Sequence, residues 1–593
     1  MLTNLPSELI EIIISNLQHD DVRDMLIINK YFNSLKYSSS LKYIQPVRYE
    51  EIKDLNYSDN FINLKYVSED GTIPNRKGNN KKIRITKLTF GNSFNDIIDN
   101  NTIPATVTHL TFGESFNNII DNDTIPSLVT HLTFGASFNK NIIGIFPASG
   151  SITHLTFGYG FNNHMYGSIP SSVKHLTFGY SFNKDIRYAI PNSVTHLTFG
   201  YSFNNDINGC IPYSVTHLIF GSQFNQIIDA NIGIPNSVVY LIFGWNFNQD
   251  IKGVIPNSIR YLKFGWCFNQ DIKGILPNTI KNLIFTNYLN HDIGGDIPNL
   301  VTHLTLGGCF NQPIRNGTIP HSVTHLVFGL KFNQKILNGE IPNSVKYLTF
   351  GIDFNQDIKD SIPNSITHLK FGSAFNQPLP HNGGIPNSVK YLTFGYNFNQ
   401  DVRNILPNSI THLNFGNGFN HDITGIGGIP NSVNYLKLGT SFNHYITIND
   451  GIPTSVTHLT ISNGHNKHDI PKSVTHLVFD SNFNKSIKDM IPNTVTHLKF
   501  SFSFNQPITE PGNGLKKGVI RYIPNSIIHL TFGEQFDQSI AHGIPNSVIW
   551  LSFGYCFNHD IKDNPPTSLK YLRISKNFKG TLPKSSGIKI IRH

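Results

Sequence analysis

The stretch "IPNSVTHLTFGYSFNNDI", Ile190 to Ile207, recurs with small changes along most of the chain. Aligned on its "HL" dipeptide it gives 23 units, from "KLTFGNSFN" (Lys87 to Asn95) to "YLRISKNFK" (Tyr571 to Lys579), mostly 21 to 23 residues apart. A unit this short cannot bury its own apolar face, so it has to stack on its neighbours as one coil of a continuous array. The 593 residues would otherwise suggest about four compact domains. The repeat overrides that expectation.

The columns of the repeat say which side of each coil is inside. With Val194 as position one, His196 is three, Leu197 four, Thr198 five, Phe199 six, Gly200 seven, Phe203 ten and Asn204 eleven. Position four is Leu in all 23 units, and positions six and ten hold 40 of the 44 phenylalanines. Alternation along "VTHLTF" turns Leu197 and Phe199 one way and His196 and Thr198 the other. The invariant Leu marks the core face, and "HLTF" segments of successive units are expected to pair as a parallel sheet. Gly at seven suits a turn after the strand, and Pro in the "IP" step removes a donor before the next. Segments such as "NQDIKGVIPNS" hold too much Gly, Pro and Asn for helix. The expectation is a mainly β, helix-poor parallel solenoid over residues 83–579, with the surplus at 509–522 extruded as an insertion. Residues 46–82 read as a linker and degenerate capping repeat, and 580–593 as a C-terminal tail.

The Asn column sits where the chain leaves the strand, and its amide can satisfy backbone groups of its own coil and the next. His fills position three in 14 units. Metal binding needs ligands converging from several directions, whereas a flat ladder presents them in parallel. General-base chemistry needs an oriented nucleophile or carboxylate, and the adjacent columns supply mostly Thr, Lys, Ile and Val. No catalytic residue, metal site or cofactor is therefore expected, and the chain does not read as an enzyme. Rings in such a column would repel one another when charged, so acid is expected to weaken the array.

The face still varies. Tyr replaces His at Tyr240, Tyr261, Tyr347, Tyr391 and Tyr435, and Trp does so at Trp550. Trp245 and Trp266 follow the Gly of consecutive units. Where Tyr enters, position two loses its Thr, as in "RYL" at Arg260 and "KYL" at Lys346 and Lys390. Tyr and Trp are enriched at binding hot spots, so these eight residues form the candidate target-binding surface.

Composition narrows the partner. The formal charge is +9, but Lys and Arg are scattered and cluster only in "NRKGNNKK" (Asn75 to Lys82), so nucleic acid is not the expected ligand. The four cysteines are far apart with no C-x-x-C pair, which points to a reducing compartment. No apolar run approaches the length of a membrane span, and Glu8 and Glu11 stand where a signal peptide would be uncharged. An intracellular, cytoplasmic protein with no membrane contact is expected.

Residues 1–45 lie outside the repeat and have helical spacing, with Leu5, Leu9, Ile13 and Leu17 in one segment and Val22, Leu26 and Ile28 in the next. The pattern Leu5-Pro6-x-Glu8-Leu9, Ile13-Ile14, Leu17, Asp21-Val22, Ile28-Asn29-Lys30 resembles the F-box. The 23 units resemble the FNIP repeat, a leucine-rich-repeat-like motif of social amoebae and giant DNA viruses. The two halves together resemble the F-box and FNIP repeat proteins of those sources, in the host cytoplasm if viral. The resemblance implies a small α-helical F-box domain ahead of an LRR-like parallel β-solenoid. It also implies a substrate-recognition adaptor of a cullin-RING ubiquitin ligase: Leu5, Pro6, Leu9, Ile13, Leu17 and Val22 would form the surface for a Skp-type adaptor, and the solenoid would hold a target protein. The rival reading is a repeat scaffold or decoy with no ligase attached.

Overall fold

The computed structural model describes residues 47–48, 64–72 and 85–592, apart from 149, 426, 445–450, 463–469, 481, 512–518, 563–564 and 584–586. The F-box-like segment, Leu5 to Val22 included, lies outside the described residues. The chain divides into two compact units, residues 1–282 and 283–593.

In each unit a repeat contributes one short strand at positions three to five, such as His196–Thr198, hydrogen-bonded in parallel to its counterparts. The register is unshifted: His196 opposes His175 and His217, and Leu197 opposes Leu176 and Leu218. The second unit repeats this from His303–Thr305 to Lys589–Arg592. No helix occurs among the described residues. The parity read from the sequence is the one observed, with Leu197 buried between half-exposed His196 and Thr198.

In-register stacking turns every column into a ladder. Inside, Phe199 lies 3.9 Å from Phe203 within its coil and 5.8 Å from Phe220 in the next, while Phe203 and Phe224 are 6.1 Å apart. Burying each such ring contributes roughly 2–3 kcal/mol relative to leaving it in water. Polar ladders flank the aromatic one. The Asn204 side-chain oxygen accepts the backbone N–H of Asn225, and Asn204 donates its own N–H to Asn183 Oδ1, both at 2.9 Å. Asp537, the acid in this column, still accepts from the Asn558 N–H at 3.1 Å, because only the oxygen is used. The Ser193 hydroxyl donates to the Val173 carbonyl at 2.7 Å. Donors at the coil corners thus find partners one coil away.

The Gly column is required by close approach and not, as the sequence suggested, by turn geometry. A Cβ on Gly200 would lie 1.7 Å from the Gly179 carbonyl oxygen, and Gly200 is absent from the positive-φ positions. Successive backbones touch there because the chain bends out of the ladder at position six. Where Ser462, Asp480, Ser501 or Ser575 replaces Gly, the preceding strand runs to four residues, as in His476–Phe479 and His497–Phe500. There the ladder continues one step further, with the Asp480 N–H donating to the Ile461 carbonyl at 2.7 Å.

Three boundaries differ from or refine the sequence reading. Val47–Arg48 and Leu64–Ser68, placed in a linker and cap, pair in parallel with each other and with Ile85–Phe90, so the stack begins before residue 83. Lys589–Arg592, placed in a tail, pairs with Tyr571–Ile574 and extends it. The insertion holds an antiparallel pair, Thr509–Pro511 with Val519–Arg521, while His497 and His529 on either side of it stay in register. The short interval from His458 to His476 also keeps register.

Two glycine replacements separate contact from conformation. Gly200→Ala, with a carbonyl in the way, is expected to destabilise by about 2 kcal/mol or more. Gly274→Ala has nothing within 4 Å of its Cβ but a φ of +63°, and should cost about 1 kcal/mol. Amide exchange should show the first loss as opening of His175–Thr177 and His196–Thr198; equal protection in the two variants would contradict the close-approach account.

Candidate functional site

The outer face of the strands carries positions three and five, and its most regular feature is a column of stacked rings. In the first unit His109, His131, His154, His175, His196 and His217 lie 4.1–4.2 Å apart. In the second, His303, His325, Tyr347, His368, Tyr391 and His412 follow at 4.1–4.4 Å. Tyr therefore takes the place of His without widening these steps.

A clamp explains why Thr precedes His. The Thr195 hydroxyl is 3.2 Å from the Lys174 carbonyl and 2.9 Å from His196 Nδ1. A carbonyl can only accept, so the single hydroxyl proton goes there and Oγ1 is left to accept from Nδ1–H. The same arrangement recurs at Thr108, Thr130, Thr153, Thr216 and Thr324. Each clamped ring then presents the Nε2 lone pair outward, giving a row of acceptors. Tyr has no Nδ1 to hold, and that is why Thr disappears wherever Tyr enters the column.

The protonation of the column is set by its packing. Burial first, and the charge of neighbouring groups second, hold His131, His154, His196, His217, His325, His368, His412 and His476 below the usual histidine range. The same causes bring His109 and His497 down to about 4, with Lys87 adding to the field at His109. The sequence reading assigned this effect to ring repulsion alone; burial is the larger part. Among the described residues no group of three His, Cys, Asp or Glu could hold a metal ion. The four cysteines are unpaired.

The predicted surface residues fall into separate groups. Tyr240 and Tyr261 stack at 4.3 Å in the first unit's column, after a wider step of 5.3 Å from His217. Tyr347 and Tyr391 are intercalated among histidines, whereas Tyr435 stands 5.6 and 6.2 Å from its neighbours. Trp550 stacks loosely, 6.5 Å from His529 and 5.3 Å from Tyr571. Trp245 and Trp266 form their own pair at 4.5 Å beyond the Gly. Trp245 is exposed, while Trp266 and Trp550 are half-buried. Sequence reasoning missed that Tyr159, Tyr180 and Tyr201 belong to the Trp245 column, stacked at 4.4 Å and exposed. The signal was present in "FGY", read only where "FGW" drew attention.

Known proteins place this geometry. The description "FNIP Repeat" matches the chain in thirteen segments from 69–115 to 515–556, well over half its length. A solved structure named "The crystal structure of CroV588 a novel circular LRR protein structure" is 38% identical, with a TM-score of 0.68 over 90% of this chain and 86% of that one. YopM from Yersinia enterocolitica WA-314 aligns over 83% of this chain and 91% of its own at 13% identity, with a TM-score of 0.33. No curated protein sequence matches. No helix among the described residues is long and apolar enough to cross a membrane.

The depressed imidazoles fix the direction of a pH effect. The unfolded chain takes up protons near the ordinary histidine value of about 6.5, while the shifted histidines of the folded column take them up at lower pH, His109 and His497 only near about 4. Stability contributed by these histidines is therefore full above about pH 6.5 and is lost as pH falls below it. Melting temperature should drop across that window, and His131→Tyr with His154→Tyr should reduce the drop. An identical pH profile in that double variant would count against the column as its source.

Proposed function

The chain belongs to the FNIP repeat family, with a leucine-rich-repeat-like parallel solenoid, and from that premise we propose that it is a non-enzymatic scaffold holding a protein partner against the outer face of its strands. The observation that carries this reading is the contrast between the two sides of one strand. Position four is Leu in every unit, while position three is His, Tyr, Trp, Asn or Lys. Packing does not require the exchange, since Tyr347 sits 4.2 Å from His325 and 4.3 Å from His368, like the histidines themselves. What changes is the outward chemistry: a ring-nitrogen acceptor gives way to a hydroxyl that both donates and accepts. A face that varies in what it offers at constant geometry is suited to reading a partner.

At the finer level, the proposal is a substrate receptor of a cullin-RING ubiquitin ligase, in which residues 1–45 engage a Skp-type adaptor and the repeats hold the target. Its support is the F-box-like spacing of Leu5, Pro6, Leu9, Ile13, Leu17 and Val22 joined to a binding array. The rival is the same scaffold without ligase coupling. A cytoplasmic location belongs to both readings.

Copurification of the full chain with a Skp-type adaptor separates them. Leu5→Asp with Pro6→Ala should weaken adaptor binding by at least about tenfold and leave the melting of the repeats unchanged. Adaptor binding that survives this double variant removes the ligase reading. For the target face, Tyr347→Ala and Tyr391→Ala should lower crosslinking to the bound protein, and Tyr347→His should restore it only in part.

A further inference from the structure

The column that carries the histidines begins with cations. Register places Arg48 opposite Lys65, Lys65 opposite Lys87, and Lys87 opposite His109. These are the same rungs that carry imidazoles further along. Among the described residues, Arg48, Lys65 and Lys87 have no ion pair or side-chain hydrogen bond. Like charges directly opposite one another on neighbouring strands destabilise a sheet, so these rungs store a repulsion that the following rungs of the same column avoid by using neutral rings. His109 feels it, since Lys87 contributes to the lowering of its imidazole.

The same column residues, Arg48, Lys65, Lys87 and His109, line a recess of about 590 Å³ on the outer strand face, and no acidic side chain is among the described residues that line it. Apolar groups complete it: Tyr66 and Val67 line it beside the cations, and Val67 is 55% exposed. A bare inorganic anion would use the charges and leave Val67 in water. A nucleic acid would ask for a longer basic track and for base-stacking platforms, which this short column does not offer. A peptide that alternates carboxylates with apolar side chains uses both, because an extended chain can set its acids on the column and its apolar groups on Val67.

We propose that the recess at Arg48, Lys65, Lys87 and His109 is a binding site for an acidic, partly apolar peptide segment of a protein partner. Lys65 and Lys87 take its carboxylates at the centre, Arg48 holds the outer end, and neutralisation relieves the repulsion along the column. The inference rests on the proposed scaffold function and names one partner chemistry for it.

The test is fluorescence anisotropy of the full chain with a labelled ten-residue peptide of alternating Glu and Val, at low and at physiological salt. Binding is expected, weakened by salt, and at least tenfold weaker in a Lys65→Gln, Lys87→Gln double variant. Lys370→Gln, in the second unit, should bind as the unchanged chain does. A histidine NMR titration confirms that the variant is folded and its field altered, because the His109 midpoint should rise from about 4 when Lys87 is neutralised. Peptide binding that is absent, or equal in the double variant, overturns the site. A single-stranded oligonucleotide of equal charge, or inorganic phosphate, that binds more tightly and is lost in the same variant overturns the choice of partner. Neither failure bears on adaptor copurification or on target crosslinking through Tyr347 and Tyr391, so the scaffold reading stands or falls separately.

Discussion

Unshifted parallel pairing is the constraint on which everything else in this protein depends. Because His196 opposes His175 and His217, each side chain meets its own counterpart from the neighbouring coil, and a choice made once is repeated along the stack. A residue is admissible at a position only if it tolerates itself at roughly 4–6 Å. Phe and imidazole do so by stacking, Asn by passing a hydrogen bond from side-chain oxygen to the next backbone N–H, and Gly by being small enough for backbones to touch. Like charges opposite one another on paired strands repel, and consecutive like charges such as Asp185 and Asp206, Asp250 and Asp271 or Asp401 and Asp422 stand in the return segments outside the strands. The histidines meet the same condition because their environment disfavours the charged form.

Much of this was legible in the sequence because repetition turns weak local signals into columns. Parity around the invariant Leu gave the core face, and the spacing gave one strand per unit. What could not be read were relations between coils. The Thr–His clamp is a triangle whose third corner, a carbonyl, belongs to the preceding coil, as with Thr195, His196 and Lys174. The pattern was visible as the loss of Thr before Tyr; the reason was not. Gly looked like a turn residue because the carbonyl it makes room for lies about one period back in sequence.

The ends of the array depart from the repeat in a different way. Lys65 and Lys87 are one rung apart, but Ser68 stands where a Phe is expected and Glu69 where Gly is, so the unit reads as a degenerate capping repeat, and its strand pairs with Ile85–Phe90 as such a cap would. The self-tolerance that holds the interior columns constant is relaxed in these coils, although Leu64–Ser68 pairs on both sides, with Val47–Arg48 and with Ile85–Phe90. Lys589–Arg592 shows the same relaxation at the other end, with Lys589 in the ring column opposite Tyr571.

That relaxation bears on where recognition can be encoded. In the interior of each unit, a change at position three has to preserve stacking on two neighbours, so the alphabet narrows to planar rings and the information lies in which ring stands where. The steps that widen, at His217–Tyr240 and Tyr435–His458, are places where that constraint is already loosened. At the first coils even planarity is dropped, and Arg48, Lys65 and Lys87 place charge on consecutive rungs of a column that further along carries it singly, at Lys589. Such a column is disfavoured by itself and favoured only with counter-charge present. A ring column that is kept uncharged through the interior of each unit and carries cations on consecutive rungs in the first coils concentrates its electrostatic selectivity there, and leaves the interior face to discriminate by hydrogen bonding and shape.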